Sequence, residues 1–181
     1  AKNLTFEDIF SRLVGFDTTS RESNMALITW VADYLSAYSV SSIIDKSPCG
    51  TKANLIATIG ANVPGGLVLS GHSDVVPVDG QQWSSPPFTL TQRTQAPQLA
   101  LTGEEGAPQA HYFGRGTADM KGFIAAVLAR VPDMMAAGLK RPVHIVLTFD
   151  EEVGCMGIQQ LLGPLKKHVA PPRLVVVGEA T

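Results

Sequence analysis

The sequence predicts a three-layer α/β sandwich with a mostly parallel sheet. Three short apolar runs, at residues 66–70, 143–149 and 174–177, are typical of buried strands. Stretches with helical spacing of apolar residues come before and between them, and this alternation indicates parallel strands covered by helices. Each run also leads into acidic or imidazole side chains. Because the carboxyl ends of parallel strands meet at one edge, we expect a ligand site there.

The bulk composition indicates one globular domain without a nucleic-acid or membrane partner. A chain of 181 residues is long enough to bury roughly 70% of its unfolded surface. A net charge of −2 gives no basic surface for nucleic acid. We see neither a secretory signal nor an apolar run that would span a bilayer. The cysteines, Cys49 and Cys155, fit a reducing compartment, so we expect a cytoplasmic protein.

Two helices are predicted at the start of the chain. The first runs from Thr5 to Val14, where Thr5 and Asp8 have the spacing of a capping box. A longer helix continues to about Tyr38, with Ser20 as its predicted N-cap.

Three strands and one insertion are predicted next. The strands are Ser39–Ile44, Ala53–Ile59 and Gly66–Ser70, separated by serine, glycine and proline residues. Residues 92–110 are polar, contain proline and lack helical periodicity. We therefore expect an exposed insertion between two strands, and a surface loop without function is the simpler interpretation.

The last third of the chain is predicted to alternate helix and strand. Residues 120–137 have helical periodicity, and Pro132 should kink or split that helix. A strand at Val143–Phe149, a short helix around Gly157–Leu162 and a strand at Arg173–Val177 follow.

Acidic side chains and one histidine follow the predicted strands or begin a helix. They are His72, Asp74, Asp119, Glu151, Glu152 and Glu179. Carboxylates brought together at one sheet edge would repel one another, because buried charge without a partner is costly. The simplest occupant is a metal ion, and the number of acids favours more than one.

The spacing of these residues suggests which of them bind a metal and which contact a ligand or a water molecule. Asp74 lies two residues after His72, so in an extended chain both side chains face the same side. The Asp74 carboxylate would then accept the proton on the second ring nitrogen and make His72 a better metal ligand. Glu151 and Glu152 are adjacent and face opposite ways, so one can bind a metal while the other contacts a water molecule. The other histidines are interpreted as structural: His111, His144 and His168.

Four stretches resemble the dinuclear-zinc aminoacylase and carboxypeptidase family. They are residues 70–80 (SGHSDVVPVDG), 114–123 (GRGTADMKGF), 150–157 (DEEVGCMG) and 177–181 (VGEAT). They occur in the same order along the chain as in that family. The segments GTADMKGF and DEEVGC are most similar to the acetylornithine deacetylase branch. The resemblance implies a homodimeric, metal-dependent amide hydrolase that removes an acyl group from an N-acyl amino acid or a dipeptide-like substrate.

The resemblance implies a site for two zinc ions, for which cobalt is a possible substitute. His72 and Glu179 would bind one ion, Glu152 would bind the other, and Asp119 would bridge both. Two such ions lower the pKa of a shared water molecule and polarise the amide carbonyl.

The resemblance also implies roles for two further acids and one peptide bond. Glu151 would be the general base that moves a proton from the water to the leaving amine. Asp74 would support catalysis as the partner of His72. The Asp119–Met120 peptide would be cis although it does not precede proline.

The departures from the family pattern lead to an expectation about domain content. The family has a second metal-binding histidine and an inserted lid and dimerisation domain, neither of which occurs before Thr181. The family also reads Gly-Glu-Pro where this chain has Gly178-Glu179-Ala180. We therefore expect residues 1–181 to be the N-terminal portion of a catalytic domain and to be inactive alone.

Two alternatives remain open at this point. One is a non-catalytic fragment or pseudoenzyme that acts as a binding module. The other is a cysteine hydrolase that uses Cys155, although no partner histidine is evident for this thiol.

Overall fold

The computed structural model describes residues 3–95 and 109–179. Two sheets are present in this part of the chain, one of five strands and one of two. The strands are β1 (Ser42–Lys46), β2 (Ala53–Ile59), β3 (Leu67–His72), β4 (Thr91–Gln95), β5 (Gln109–Phe113), β6 (Val143–Thr148) and β7 (Leu174–Val177). The large sheet has the order β1-β2-β6-β3-β7, and β4 and β5 form the small one.

Five α-helices accompany the sheets. They are α1 (Phe6–Val14), α2 (Met25–Ala37), α3 (Gly122–Ala129), α4 (Val131–Ala136) and α5 (Met156–His168). A turn, Thr117–Lys121, in which Asp119 and Met120 have non-helical backbone angles, leads into α3. Within the described ranges, no helix has both the length and the apolar character needed to cross a membrane.

Four strands of the large sheet run in one direction. β3 pairs in parallel with β6 and with β7, whereas β2 is antiparallel to both of its neighbours, β1 and β6. The predicted mostly parallel sheet is confirmed. The register sets His72 opposite Thr148 and Ser70 opposite Val177, so β3, β6 and β7 end at the same edge.

Strand β2 explains why the molecule has three layers. Leu55 and Ala57 belong to the core cluster formed with α1, α2 and α3, whereas Ile56, between them, packs in a second cluster with Leu161 of α5. Alternate residues of a strand face opposite sides of its sheet. Both faces of β2 are therefore covered by helix, and this burial accounts for its nearly continuous apolar sequence.

Two predicted helix boundaries are confirmed. Thr5 caps α1: its hydroxyl accepts from the Asp8 amide, and the Asp8 carboxylate accepts from the Thr5 amide. Pro132 lies in the first turn of α4, two residues after the helical run divides at Arg130. The division follows because proline lacks the amide hydrogen that a helix interior needs.

The prediction that Ser20 caps α2 is wrong. Helix α2 begins at Met25 after Asn24, and the Asn24 side chain bonds to the backbone of Ala53. The Ser20 hydroxyl instead donates to the Asp74 carboxylate at 2.8 Å. A long-range bond therefore replaces the local one that the sequence suggested.

Helix α5 is longer than predicted, because tertiary packing overrides a local signal. It extends through Pro164, where the sequence indicated an end near Leu162. Leu161 is buried in the second cluster, and Ile158 and Leu165 pack against it. This packing along one side of the helix stabilises the turns on both sides of the proline.

The insertion predicted at residues 92–110 begins and ends as strand. β4 and β5 pair antiparallel, with Gln92 opposite Tyr112. The Tyr112 ring contacts Phe10 of α1, with 5.6 Å between ring centroids, which joins the hairpin to the main core. Residues 96–108 lie outside the described part of the chain. The prediction that this segment is an exposed insertion is therefore not tested there.

Strand β7 forms an exposed apolar edge of the described sheet. Leu174, Val175 and Val177 remain 57%, 51% and 56% accessible. An apolar groove of about 360 Å³ lies beside them, between the sheet and α5, with Val146 and Leu165 among its lining residues.

Replacing Gly157 with alanine should destabilise the fold by about 1–3 kcal/mol, the usual cost of overpacking. A Cβ at Gly157 would lie 2.4 Å from the Phe149 carbonyl oxygen and 2.7 Å from the Asn54 side chain. Gly163, in the same helix, has open space around it, so Gly163→Ala should instead stabilise by up to about 1 kcal/mol. Urea unfolding of both variants measures the difference, and equal effects would contradict the close approach of α5 to Phe149 and Asn54.

Candidate metal centre

The predicted site residues come together at the carboxyl edge of the sheet. His72 is the last residue of β3 and is 2% exposed. Glu151 and Glu152 lie in the turn between β6 and α5, and Glu179 follows β7. Asp119 approaches from the turn Thr117–Lys121 before α3. The fold therefore collects side chains from segments that are far apart in the sequence.

The Nε2 atom of His72 is the centre of this cluster. It lies 2.8 Å from Asp119 Oδ1, 3.5 Å from Glu179 Oε1 and 3.9 Å from Glu151 Oε2. Two triads have ligand atoms within 4.8 Å of one another: His72 with Glu151 and Glu179, and His72 with Asp119 and Glu152.

The other ring nitrogen fixes the orientation of the imidazole. His72 Nδ1 lies 2.9 Å from the backbone carbonyl oxygen of Asp74. Because a carbonyl oxygen only accepts, Nδ1 carries a hydrogen, and Nε2 is left to face the acids. The sequence assigned this contact to the Asp74 carboxylate, whose Oδ1 lies further from Nδ1, at 3.6 Å.

The Asp74 carboxylate bonds to the acidic turn instead. Oδ1 accepts from the Glu151 amide at 3.0 Å, and Oδ2 accepts from the Glu152 amide at 3.2 Å and from the Ser20 hydroxyl. Burial alone would raise the pKa of this carboxyl, but His72 and these donors together lower it. Asp74 is thus an ionised anchor for both glutamates.

A lysine that the sequence analysis overlooked completes the support of this turn. The Lys52 ammonium donates to the Asp150 carboxylate and to the Ser20 carbonyl oxygen. Asp150 has a left-handed backbone, with φ of 53°. A single lysine before an apolar strand is normally a surface residue, so the sequence offered no signal for this pair.

Lys121 is a second overlooked cation. It is fully buried and donates to the Phe16 carbonyl oxygen at 2.7 Å. Burial lowers its pKa to about 7, against the opposing effect of Asp17 and Asp74. Its position within an otherwise apolar helical segment was the available signal.

The charges at the site favour a bound cation. Burial opposes protonation of His72, but Asp74 and Asp119 overcome it and raise the pKa of the ring to about 9. Burial, with the negative charge of Asp119, raises the pKa of both the Glu152 and Glu179 carboxyls. Carboxylates in this position are stabilised by added positive charge.

Asp119 is followed by a buried residue, Met120, that contacts the His72 backbone. The Asp119–Met120 peptide is cis, as the family resemblance implied. The Met120 side chain is fully buried, and its Sδ accepts from the His72 amide at 3.2 Å. The Asp119 side chain itself is about half exposed on the open side of the cluster.

The donor set fits zinc. The imidazole Nε2 of His72 and the carboxylates around it are nitrogen and oxygen ligands of the kind that zinc takes in catalytic sites. The buried hydrogen bond at Nδ1 matches the support that metal-bound histidines usually have.

Cys155 lies beside this cluster without the features of a nucleophile. Its Sγ is 3.5 Å from Glu151 Oε1. This contact raises the pKa of the thiol, which disfavours the thiolate that a cysteine hydrolase needs.

Comparisons with known proteins agree with this geometry. The model of peptidase family M20/M25/M40 matches residues 68–181. The chain is 32% identical to acetylornithine deacetylase of Proteus mirabilis over 98% of its own length, and 35% identical to that of Shigella sonnei over 88%. It spans 43% and 37% of those two relatives, so it accounts for about two fifths of their length.

Solved structures share the fold at lower identity. An M20 family metallo-carboxypeptidase from Sulfolobus solfataricus superposes with a TM-score of 0.75 at 18% identity, over 98% of this chain and 38% of that protein. Human carnosine dipeptidase 1 gives 0.72 at 19% identity, over 95% and 38%. With the family model matched over residues 68–181, which include every proposed ligand, the chain belongs to peptidase family M20/M25/M40.

Proposed function

We propose that the whole protein is a zinc-dependent amide hydrolase that removes the acyl group from an N-acyl amino acid. The observation that carries this proposal is His72, whose Nδ1 is held by the Asp74 carbonyl while Nε2 faces carboxylates from three other segments. The acetylornithine deacetylases among its relatives favour N-acetylornithine as the first substrate to test. A homodimeric assembly is part of the same proposal.

Four residues would hold the metal. They are His72, Asp119, Glu152 and Glu179. The ligand atoms of His72, Asp119 and Glu152 lie within 4.8 Å of one another, and Glu179 joins His72 in the second group of close ligand atoms. When bound, zinc supplies a lowered pKa for a coordinated water molecule and polarisation of the amide carbonyl.

Glu151 is the proposed general base. Its carboxylate approaches His72 Nε2 only to 3.9 Å and is 39% exposed, so it adjoins the cluster and is also open to a substrate. In this role it accepts a proton from the attacking water and passes it to the leaving amine. Asp74 supports the step by holding the amides of Glu151 and Glu152.

The 181-residue chain should bind zinc, and His72→Ala should weaken that binding by at least about 100-fold, because loss of a ligand exceeds the loss of a supporting bond. Titration with Co²⁺, followed by its visible absorption, and competition with Zn²⁺ measure the effect. His168→Ala, at the far end of α5, is the matched control and should bind normally. Undiminished affinity in His72→Ala would contradict the proposed site.

Zinc affinity should rise with pH by about tenfold per unit between pH 6.5 and 8. The reason is that the pKa of metal-free His72 is about 9, so the ring carries a proton that zinc must displace throughout this range. Raising the pH removes that proton and favours binding. Calorimetry at several pH values measures the slope, and a plateau above pH 7 would indicate an ordinary histidine instead.

Glu151→Gln in the whole protein should lower kcat for N-acetylornithine by roughly 10²- to 10⁴-fold and leave zinc content unchanged, since the amide side chain cannot act as a base. An acyl-release assay with parallel metal analysis measures both. Cys155→Ser should keep full activity. Loss of activity in Cys155→Ser would favour the cysteine hydrolase, whereas zinc binding without any hydrolysis by the unaltered protein would favour a binding module.

A further inference from the structure

Ser20 joins two separate parts of the metal centre. Its hydroxyl donates to Asp74 Oδ2 at 2.8 Å, and its carbonyl oxygen accepts from the Lys52 ammonium. Its own amide donates to the Val75 carbonyl oxygen at 3.2 Å. Through its hydrogen bonds to Asp74 and Val75, this residue connects the loop before α2 to the segment that follows β3.

Neighbouring bonds hold that loop in place. The Thr18 hydroxyl donates to the Ser73 carbonyl oxygen at 2.6 Å, and the Val75 amide donates to the Thr18 carbonyl oxygen at 3.1 Å. Thr18 and Ser73 are both buried, so water does not compete for these bonds. Buried hydrogen bonds therefore hold the segment that contains Ser20 against the residues after β3.

Lys52 applies a second constraint on the acidic turn. Its ammonium meets the Asp150 carboxylate at the residue where the backbone turns left-handed, immediately before Glu151. The Lys52 and Asp150 side chains are only 14% and 15% exposed. A pair this shielded is less screened by salt than a surface pair, and removing one partner leaves a mostly buried charge unpaired.

The two constraints converge on the same pair of glutamates. One path runs from Ser20 through the Asp74 carboxylate to the amides of Glu151 and Glu152. The other runs from Lys52 to Asp150.

From this geometry we propose that Ser20 and Lys52 are positioning residues, which hold the turn 150–152 so that its two glutamates face His72. Neither residue is among the proposed metal ligands or touches the substrate in the proposed mechanism. The inference rests on the proposed function only in assigning metal binding to that turn. The arrangement of the turn itself is testable without metal.

The first test follows the Glu151 and Glu152 amides in the metal-free chain by hydrogen exchange. Ser20→Ala and Lys52→Met should each raise the exchange rate of both amides by tenfold or more, relative to core amides of β2. The conservative variants Ser20→Thr and Lys52→Arg should restore most of the protection. Using core amides as the reference separates local loosening from general unfolding.

Matched controls replace the same residue types elsewhere. Lys46→Met lies on the exposed strand β1, and Ser36→Ala lies on the exposed face of α2. Both should leave the two turn amides unchanged. If Ser20→Ala and Lys52→Met behave like these controls, the proposal is overturned.

The second test measures Zn²⁺ affinity and the visible absorption of bound Co²⁺ in the same variants. Ser20→Ala and Lys52→Met should weaken zinc binding by about 10- to 100-fold and shift the cobalt bands, as loss of a supporting bond usually does. Loosened amides with unchanged affinity and spectrum would also overturn the proposal. If the unaltered chain binds no zinc, the proposed function fails, while the exchange rates still decide whether these residues position the turn.

Discussion

The arrangement of the metal centre depends on one carboxylate that accepts two consecutive backbone amides. Asp74 reaches from the end of β3 to the amides of Glu151 and Glu152, and this contact joins the ends of two neighbouring strands. Backbone donors of this kind are expensive to leave unsatisfied when buried. The two hydrogen bonds therefore fix the backbone positions of both glutamates. Their side chains can reach a shared ligand by rotation about their own bonds.

The topology of the sheet creates the electrostatic problem that a cation would relieve. Parallel pairing of β3 with β6 and β7 sets three strand ends side by side, and each end is followed by an acid. Burial and the neighbouring acids raise the pKa of the Glu152 and Glu179 carboxyls. The acids near His72 also raise the pKa of its ring. Binding of a divalent ion and stability of this edge of the fold are consequently linked.

The sequence predicted what local chemistry determines and missed what distant segments determine. The bounds of β2 and the capping box at Thr5 follow from residues within a few positions, and both were predictable. The approach of His72 to the acids was predictable too, because strand ends of a parallel sheet share an edge. The functional roles assigned to those residues remain predictions.

Contacts across long stretches of sequence account for the failures. Ser20 looks like a helix cap, yet its partner Asp74 is 54 residues away. Lys52 and Asp150 are separated by 98 residues, and no periodicity connects them. The choice between the carbonyl and the carboxylate of Asp74 as the partner of His72 depends on angstrom-scale geometry that spacing alone does not encode.

The exposed edge at β7 has a consequence for how this chain behaves at high concentration. Among residues 3–95 and 109–179, no strand pairs with the outer side of β7, where the side chains of Leu174 and Val177 are accessible. A strand with these properties is a template on which another strand can add when the protein is concentrated. Because apolar side chains would contribute to such pairing, mild chaotropes weaken it.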